Sequence, residues 1–142
     1  MIFRKLKPIE YEKLIKLWEK SKLPFKPNGR DSKENIIKQL NISTNGFIVA
    51  ENNANIIGAI IASHNGRKGW INRLAVHPDY RKKGIAAALI KEAENFLQSE
   101  GIEIFAALIE GWNFQSKNLF EKNNYNEFEG IHYFTKRLKK DV

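Results

Sequence analysis

Residues 74–86 have the sequence LAVHPDYRKKGIA, and this stretch decides the fold. Its first residues are apolar and end a strand, because Pro78 cannot donate a hydrogen bond to a sheet ladder. A basic turn, Arg81–Lys83, follows, and a long helix with one apolar face begins at Gly84. The stretch therefore predicts a strand, a basic turn and a helix in direct succession.

The start of this helix is suited to bind an anion. The first N–H groups of a helix have no intrahelical acceptor, and they lie at the positive end of the helix dipole. Gly84 and Ala86 remove side-chain bulk there. A phosphate or pyrophosphate site is one interpretation, and an ordinary helix start with a solvated basic turn is the other. Neither of the two common nucleotide signatures, GxxxxGK[ST] and GxGxxG, is present.

The elements on either side follow from apolar periodicity and turn residues. Asp31 and Glu34 have the spacing of a capping box, Gly101 suits a helix C-terminus, and Ile102–Ile109 has the apolar run of a strand buried on both faces. In chain order the predicted elements are a strand at Ile2–Leu6, helices at Glu10–Lys20 and from Asp31, strands at Phe47–Ala50, Ile56–Ala62 and Trp70–Val76, a helix at Gly84–Ser99, a strand at Ile102–Ile109, a helix at Asn113–Lys122, and strands at Tyr125–Phe128 and Ile131–Leu138.

This order predicts an α/β (α+β) fold in which a mixed central sheet of about seven strands has helices on both faces. A length of 142 residues predicts a single domain, residues 1–142. The net charge of +8 favours anionic partners without choosing among them. The absence of Cys excludes disulfides and thiolate chemistry, and no apolar run approaches the ~20 residues of a membrane span. We expect a cytoplasmic protein without a membrane partner.

The central stretch resembles the acetyl-CoA motif of the GNAT (Gcn5-related N-acetyltransferase) superfamily, (Q/R)-x-x-G-x-(G/A), preceded by an L-x-V-x-P strand exit. Arg81–Ala86 and Leu74–Pro78 match these two patterns. The later family motif is an Asn that opens a short helix, then Leu-Tyr, then Gly-Phe. Here Asn113 opens the helix, Leu119-Phe120 follow, and Asn124-Tyr125 end it.

The resemblance implies an N-acetyltransferase that uses acetyl-CoA and an amine acceptor. Backbone amides of Lys82–Ala87 would hold the pyrophosphate, and the strand edge would pair with the pantetheine arm as an added strand does. That strand and Ile102–Ile109 would splay apart to admit the arm. The implied cofactor-binding residues are Leu74, Ala75, Val76, Arg81, Lys82, Lys83, Gly84, Ile85, Ala86, Ala87, Asn113 and Phe120. Lys117 either reaches a phosphate or belongs to a solvated helix face.

The chemistry requires a base for the amine, a donor for the oxyanion and a proton for the departing thiolate. In the family, a strand amide near Val76 is the usual oxyanion donor. Many members use the Tyr after the helix Leu as the acid, and Phe120 stands there, so water or another group, such as Tyr125 or Tyr133, would supply the proton.

Glu110 is the candidate base, and it would act through water. Some family members have a Glu on this strand two residues earlier, at the position that Leu108 occupies here. The alternative is that Glu110 belongs to a solvated strand end. His77 is a weaker candidate. His64 and His132 lack partners at metal-ligand spacing, so we predict no metal.

The acceptor is not given by the sequence. The resemblance places it beside the first two helices and their loop, where Trp18, Phe25, Lys26 and Arg30 favour a carboxylate or phosphate or simply serve packing and solubility. Two other functions stay open: an acyl-CoA sensor without turnover, and a basic nucleic-acid-binding domain, whose affinity would depend on salt. A homodimer paired through Ile131–Leu138 and a monomer are both compatible with the terminal strand pattern.

Overall fold

The computed structural model describes all 142 residues, and it contains one five-stranded mixed sheet with helices on both faces. The strands are β1 (Ile2–Lys5), β2 (Asn45–Asn52), β3 (Asn55–His64), β4 (Gly69–Val76) and β5 (Phe105–Ala106). The helices are α1 (Tyr11–Lys20), α2 (Lys33–Leu40), α3 (Ile85–Ser99) and α4 (Phe114–Lys122), with 3-10 turns at Pro8–Glu10 and Pro78–Tyr80. None of the helices is long and apolar enough to span a membrane.

The strands lie in the sheet in their chain order, from β1 to β5. The first four pair antiparallel, whereas β4 and β5 are parallel, because α3 connects them as the crossover of a βαβ unit. This arrangement confirms the predicted mixed sheet with its hairpins first and a βαβ unit in the middle. It also brings the end of β4 and the start of α3 to one edge of the molecule.

The core has two layers, one on each face of the sheet. On one face α3 and Phe120 of α4 pack against the strands, with Leu89, Ala93 and Leu97 fully buried. On the other face α1 and α2 cover the same strands through Leu14, Trp18 and Ile36. A domain of this size needs both layers, because each apolar face of a sheet must be covered by another element.

The C-terminal part of the fold corrects the sequence prediction. Tyr125–Phe128 and Ile131–Leu138 form no strand, so the sheet has five strands instead of about seven. The predicted strand Ile102–Ile109 shortens to Phe105–Ala106, and it is not buried on both faces, since Ile104 and Leu108 are more than half exposed. β5 pairs with β4 alone and so lies at the sheet edge, where one side of the strand stays open to solvent.

The start of α2 is a second correction. Ser32, not Asp31, is the N-cap residue, and its hydroxyl accepts a hydrogen bond from the Asn35 amide. The Asp31 side chain turns inward instead: its Oδ2 accepts hydrogen bonds from the Lys26 amide and from Arg73. The capping-box prediction from Asp31 and Glu34 was therefore wrong by one residue, because a tertiary partner 42 positions away engages the carboxylate.

Candidate functional site

The turn between β4 and α3 presents a run of free backbone amides. No amide from Lys82 to Ala87 donates a hydrogen bond within the protein, and the first amide that does is Ala88, to the Gly84 carbonyl at 3.1 Å. Lys82 and Gly84 have positive φ values of 62° and 78°, which curve the chain around one point. Successive amides in such a conformation form an anion-binding concavity.

Gly84 leaves the mouth of this concavity open. It is the N-cap residue of α3, and a Cβ atom built on it would meet no atom within 4 Å. A side chain there would thus project into the space that an anion needs, and the left-handed backbone would be strained by it. Behind the turn, Ile85 is buried and fixes the helix start to the sheet, while Ala86 and Ala87 are partly exposed.

The basic side chains of the turn have different surroundings. Arg81 folds back: its Nε donates to the Val76 carbonyl at 3.1 Å and one terminal nitrogen approaches the Ser21 carbonyl at 3.4 Å. Lys82 is exposed, and the Lys83 ammonium lies 5.4 Å from the ring centre of Tyr80. Arg81 therefore anchors the turn to the end of β4, and the two lysines supply exposed positive charge near the amides.

Strands β4 and β5 separate beside this turn. They pair only at Gly69–Phe105 and Trp70–Ala106, and β5 ends there, so β4 has no partner on that side from Ile71 to Val76. Leu74, Ala75 and Val76 lie on this open edge, with Ala75 and Val76 buried through their side chains. The structure thus provides the gap that the predicted splay of the two strands requires.

Asn113 lies at the start of α4, in the chain segment that follows β5. Its Oδ1 accepts a hydrogen bond from the Ser116 amide at 3.1 Å, so the side chain caps the helix as predicted. Its Nδ2 group makes no hydrogen bond within the protein and is free to donate to a ligand carbonyl. Trp112 and Phe114 on either side are largely exposed.

Phe120 and Tyr125 belong to the core beside α3. Phe120 is 7% exposed, and its ring meets that of Tyr125 edge-on with centroids 5.0 Å apart. The Tyr125 hydroxyl donates to Glu94 Oε2 at 2.7 Å, and burial, together with this carboxylate, raises the pKa of Tyr125 above its ordinary value. Its proton is thus engaged and harder to release, which makes Tyr125 a weak acid for a departing thiolate.

The remaining candidates lie at the surface. Glu110 is exposed in the loop after β5, and its backbone carbonyl accepts from the Asn113 amide at 2.9 Å. His77 caps the 3-10 turn by accepting from the Asp79 amide, and Lys117 forms an ion pair with Glu127 at 3.1 Å. Tyr133 is mostly exposed. None of these side chains forms a hydrogen bond or an ion pair with the turn at Gly84, so the predicted acid–base groups are not tied to the backbone part of the predicted site.

Comparisons with known proteins bear on this geometry. The acetyltransferase (GNAT) family matches residues 11–125. An acetyltransferase of Sodalis glossinidius is 33% identical over 132 residues, which cover 93% of this chain and 92% of the relative. The chain belongs to the GNAT acetyltransferase family. The resemblance found in the sequence is therefore confirmed, and the protein is an acyltransferase of this family.

Solved structures of lower identity share the GNAT fold. The aminoglycoside 6'-N-acetyltransferase AAC(6')-Ig from Acinetobacter haemolyticus has a TM-score of 0.79 at 20% identity, over 98% of this chain and all of its own. AAC(6')-Iy, solved with the bisubstrate analogue CoA-S-monomethyl-acetylneamine, has a TM-score of 0.81 at 19% identity, over 96% of this chain and 97% of its own. At these identities the likeness concerns the fold.

One part of this GNAT domain was missed in the sequence. Arg73 on β4 donates from its Nη2 to Asp31 Oδ2 at 2.9 Å, and its guanidinium carbon lies 4.9 Å from the ring centre of Trp18. Its Nη1 is buried without a partner. The available signal was an Asn-Arg pair inside the otherwise apolar strand Trp70–Val76. Of the acceptor-side residues named from the sequence, Trp18 and Phe25 pack on each other, whereas Arg30 faces Asp31 at 3.7 Å.

Proposed function

We propose that this protein transfers the acetyl group of acetyl-CoA to a primary amine of its acceptor by direct attack in a ternary complex. The observation that carries the proposal is the run of six free amides from Lys82 to Ala87 next to the open edge of β4. The amides fit a pyrophosphate, because free amides in a left-handed turn and at a helix N-terminus bind anions. The exposed Lys82 and Lys83 add charge that matches it.

The open edge of β4 suits the rest of the donor. The pantetheine arm carries amides, and an amide-bearing chain adds to an exposed strand edge as another strand does. Leu74, Ala75 and Val76 would hold it on one side, and the free Nδ2 of Asn113 would donate to it from the other. Phe120 is buried, so we assign it a packing role beneath this site and no polar one.

The reaction joins the amine nitrogen to the acyl carbon and breaks the carbon–sulfur bond. The amine must be neutral to attack, and an alkyl amine has a pKa of about 10.4, so its proton must first leave. Glu110 is the carboxylate that we propose to accept this proton through water, since it is exposed beside the Asn113 end of the gap. The thiolate then takes a proton from water, because Phe120 has none and that of Tyr125 is bound to Glu94.

Positioning carries most of the catalysis in this proposal. Holding an amine against a thioester in the right geometry lowers the barrier even where the acid–base groups are weak. The bisubstrate analogue bound to AAC(6')-Iy joins a CoA part to an amine-derived part, which supports a ternary complex and an amine acceptor for this relative of the same fold. We further propose that residues 1–142 form a single domain of this activity.

Thermal unfolding with and without acetyl-CoA tests the donor. A ligand at 100 times its Kd stabilises the folded state by about 2.7 kcal/mol, so a clear rise of Tm is expected, larger than with ADP at the same concentration. No shift at millimolar acetyl-CoA would remove the proposed function. A Tm shift that ADP reproduces in full would show that the site recognises only the phosphates of the donor.

A sensor that binds acetyl-CoA without turnover is the second candidate, favoured by the burial of Phe120 where the family acid would stand. Thiol release with a panel of amines separates the two functions. The assay is clean because the chain contains no Cys. Release above the hydrolysis background supports the transferase, and binding without release for every amine supports the sensor. The cytoplasmic location and the homodimer expected from the sequence stay predictions.

A further inference from the structure

A polar cavity of ≈ 320 Å³ lies on the face of the sheet that α2 covers. Two of its nine lining residues are hydrophobic, so the other seven are polar or charged. A volume near 300 Å³ is at the small end of ligand pockets, which suits a small molecule. The lining residues that matter below are Arg30, Asp31, Ser63, Asn72 and Arg73.

The cavity has an excess of positive charge. Two guanidiniums, Arg30 and Arg73, face one carboxylate, Asp31, which leaves a formal charge of +1. Asp31 already has partners within the protein, because its Oδ2 accepts from the Lys26 amide at 2.7 Å and from Arg73 at 2.9 Å. Arg73 Nη1 is buried without a partner. An atom so buried cannot touch a ligand directly, but its charge contributes to the positive field that a ligand would meet in the cavity.

Further donors line the same cavity. The side chains of Ser63 and Asn72 take part in none of the side-chain hydrogen bonds of the fold, although both face the cavity. A carboxylate is an acceptor with two oxygens, and it can receive several such donors at once. Its single negative charge also balances the +1 of the cavity, whereas a phosphate dianion would leave a net negative charge beside the Asp31 carboxylate.

The cavity adjoins the place where acetyl transfer is proposed. Neighbouring residues of a regular strand point to opposite faces, yet Asn72 and Arg73 line one cavity. A bulge explains this: Ile61 pairs with Asn72 and Ala59 with Ala75, and Arg73 has a φ of 55°. The part of the open edge that is proposed to hold the donor, Leu74–Val76, begins at the next residue, and three residues of strand span about 10 Å.

We propose that this cavity binds a carboxylate of the acceptor, so that the acceptor is a small amine with a carboxylate within about 10 Å of its amino group, the span given by the strand. Amino acids and short acidic peptides have this chemistry. The inference rests on the proposed acetyl transfer. It also disfavours polycationic acceptors, since a second positive charge would meet Arg30 and Arg73.

Acetyl-CoA-dependent thiol release with matched acceptors tests the inference. Each acceptor is offered as an acid and as its carboxamide, for example β-alanine and β-alaninamide, with aminoethylphosphonate and spermidine as further arms. We expect kcat/KM to be at least about 10-fold higher for the acids, a difference of about 1.4 kcal/mol. Faster thiol release with the phosphonate would show that the cavity binds a phosphate-like group and not a carboxylate. Equal or faster release with the amides or with spermidine would overturn the inference.

Arg30→Gln sharpens the test, because Arg30 is half-exposed and contacts Asp31 only at 3.7 Å, so the fold does not depend on it. We expect about a 10-fold higher KM for the acids, with an unchanged kcat and unchanged values for the amides and acetyl-CoA. Arg67→Gln removes the same charge from the exposed β3–β4 turn and is the control. Equal effects of the two variants would overturn the inference and leave acetyl transfer standing, whereas no release with any acceptor would overturn both.

Discussion

The cavity includes Arg73 of β4 and the turn follows soon after that strand ends, but the two are assembled differently. The turn consists of six consecutive residues, and its ligand-binding groups are backbone amides. The cavity draws its residues from the α1–α2 loop, α2 and three strands, and its binding groups are side chains. The proposed donor half of the site is thus local in the sequence, and the proposed acceptor half is a product of tertiary structure.

This difference affects how each half responds to change. A backbone site depends on conformation, so it is sensitive to the residue that shapes the turn and indifferent to distant charges. The cavity depends on a long-range ion pair, that of Asp31 with Arg73. Loss of one partner would disturb the α1–α2 face and leave the α3 turn intact.

Gly84→Val should have the largest effect of these variants, and it changes the turn after β4, which is local in the sequence. The branched side chain would fill the open mouth of the amide concavity, so we expect acetyl-CoA to bind more than about 1,000-fold more weakly by calorimetry. Gly66→Val is the matched control, since Gly66 also has a positive φ, 85°, with open space around it, but lies in the β3–β4 turn. Near wild-type affinity of Gly84→Val would show that the pyrophosphate binds elsewhere.

Asp31→Ala changes the cavity beside Arg73, which is assembled by the tertiary structure. It leaves the largely buried Arg73 guanidinium unpaired, so the free energy of unfolding should fall by about 3 kcal/mol in urea titrations. The affinity for acetyl-CoA should stay within about twofold in the same protein. Glu34→Ala serves as control, because Glu34 forms only an exposed ion pair with Lys38 and should change stability little. Equal losses of unfolding free energy for both variants would favour the capping box of Asp31 and Glu34 that the sequence predicted and that the structure does not contain.

Acid should weaken the α1–α2 face through Glu10. Hydrogen bonds from Arg4 lower the pKa of Glu10 from 4.5 to about 2, so the carboxylate stabilises the fold fully above pH 4.5 and this stabilisation is lost as the pH falls towards 2. From pH 6 to pH 3 about 2 kcal/mol should be lost. Urea unfolding of wild type and Glu10→Gln should therefore converge on acidification, and a gap that stays constant would contradict this assignment.

Phe120→Tyr should have the smallest effect on turnover, which we expect to stay equal or rise within about twofold. The new hydroxyl would lie in the core against Tyr125, so the folded state should lose about 1 kcal/mol unless the hydroxyl finds a partner. Thiol release per folded protein measures the first quantity and thermal unfolding the second. A large fall in turnover would show that the ring shapes the donor site directly.

The elements that the sequence predicted well are those held by contacts within a short stretch. Helix α1, the β2–β3 hairpin, strand β4 and helix α3 lie where periodicity placed them, and Asn113 caps α4. The prediction errors concern segments whose structure depends on a partner elsewhere in the fold. Ile131–Leu138 has the alternation of a strand, but no strand pairs with it, and only Ile102 and Phe120 are buried after residue 100. Apolar–polar alternation indicates which side chains a strand would bury, but it does not ensure that another strand is available to pair with it.

The sequence by itself determined the turn that we propose as the donor half. Pro78 ends the strand, Gly84 permits the left-handed N-cap, and the amides that follow are free because any helix start leaves them so. Only the tertiary structure decided the proposed acceptor half. Asp31 and Arg73 meet across 42 positions, and a bulge in β4 turns Asn72 and Arg73 to the same face, so the cavity and its charge exist only after the chain has folded.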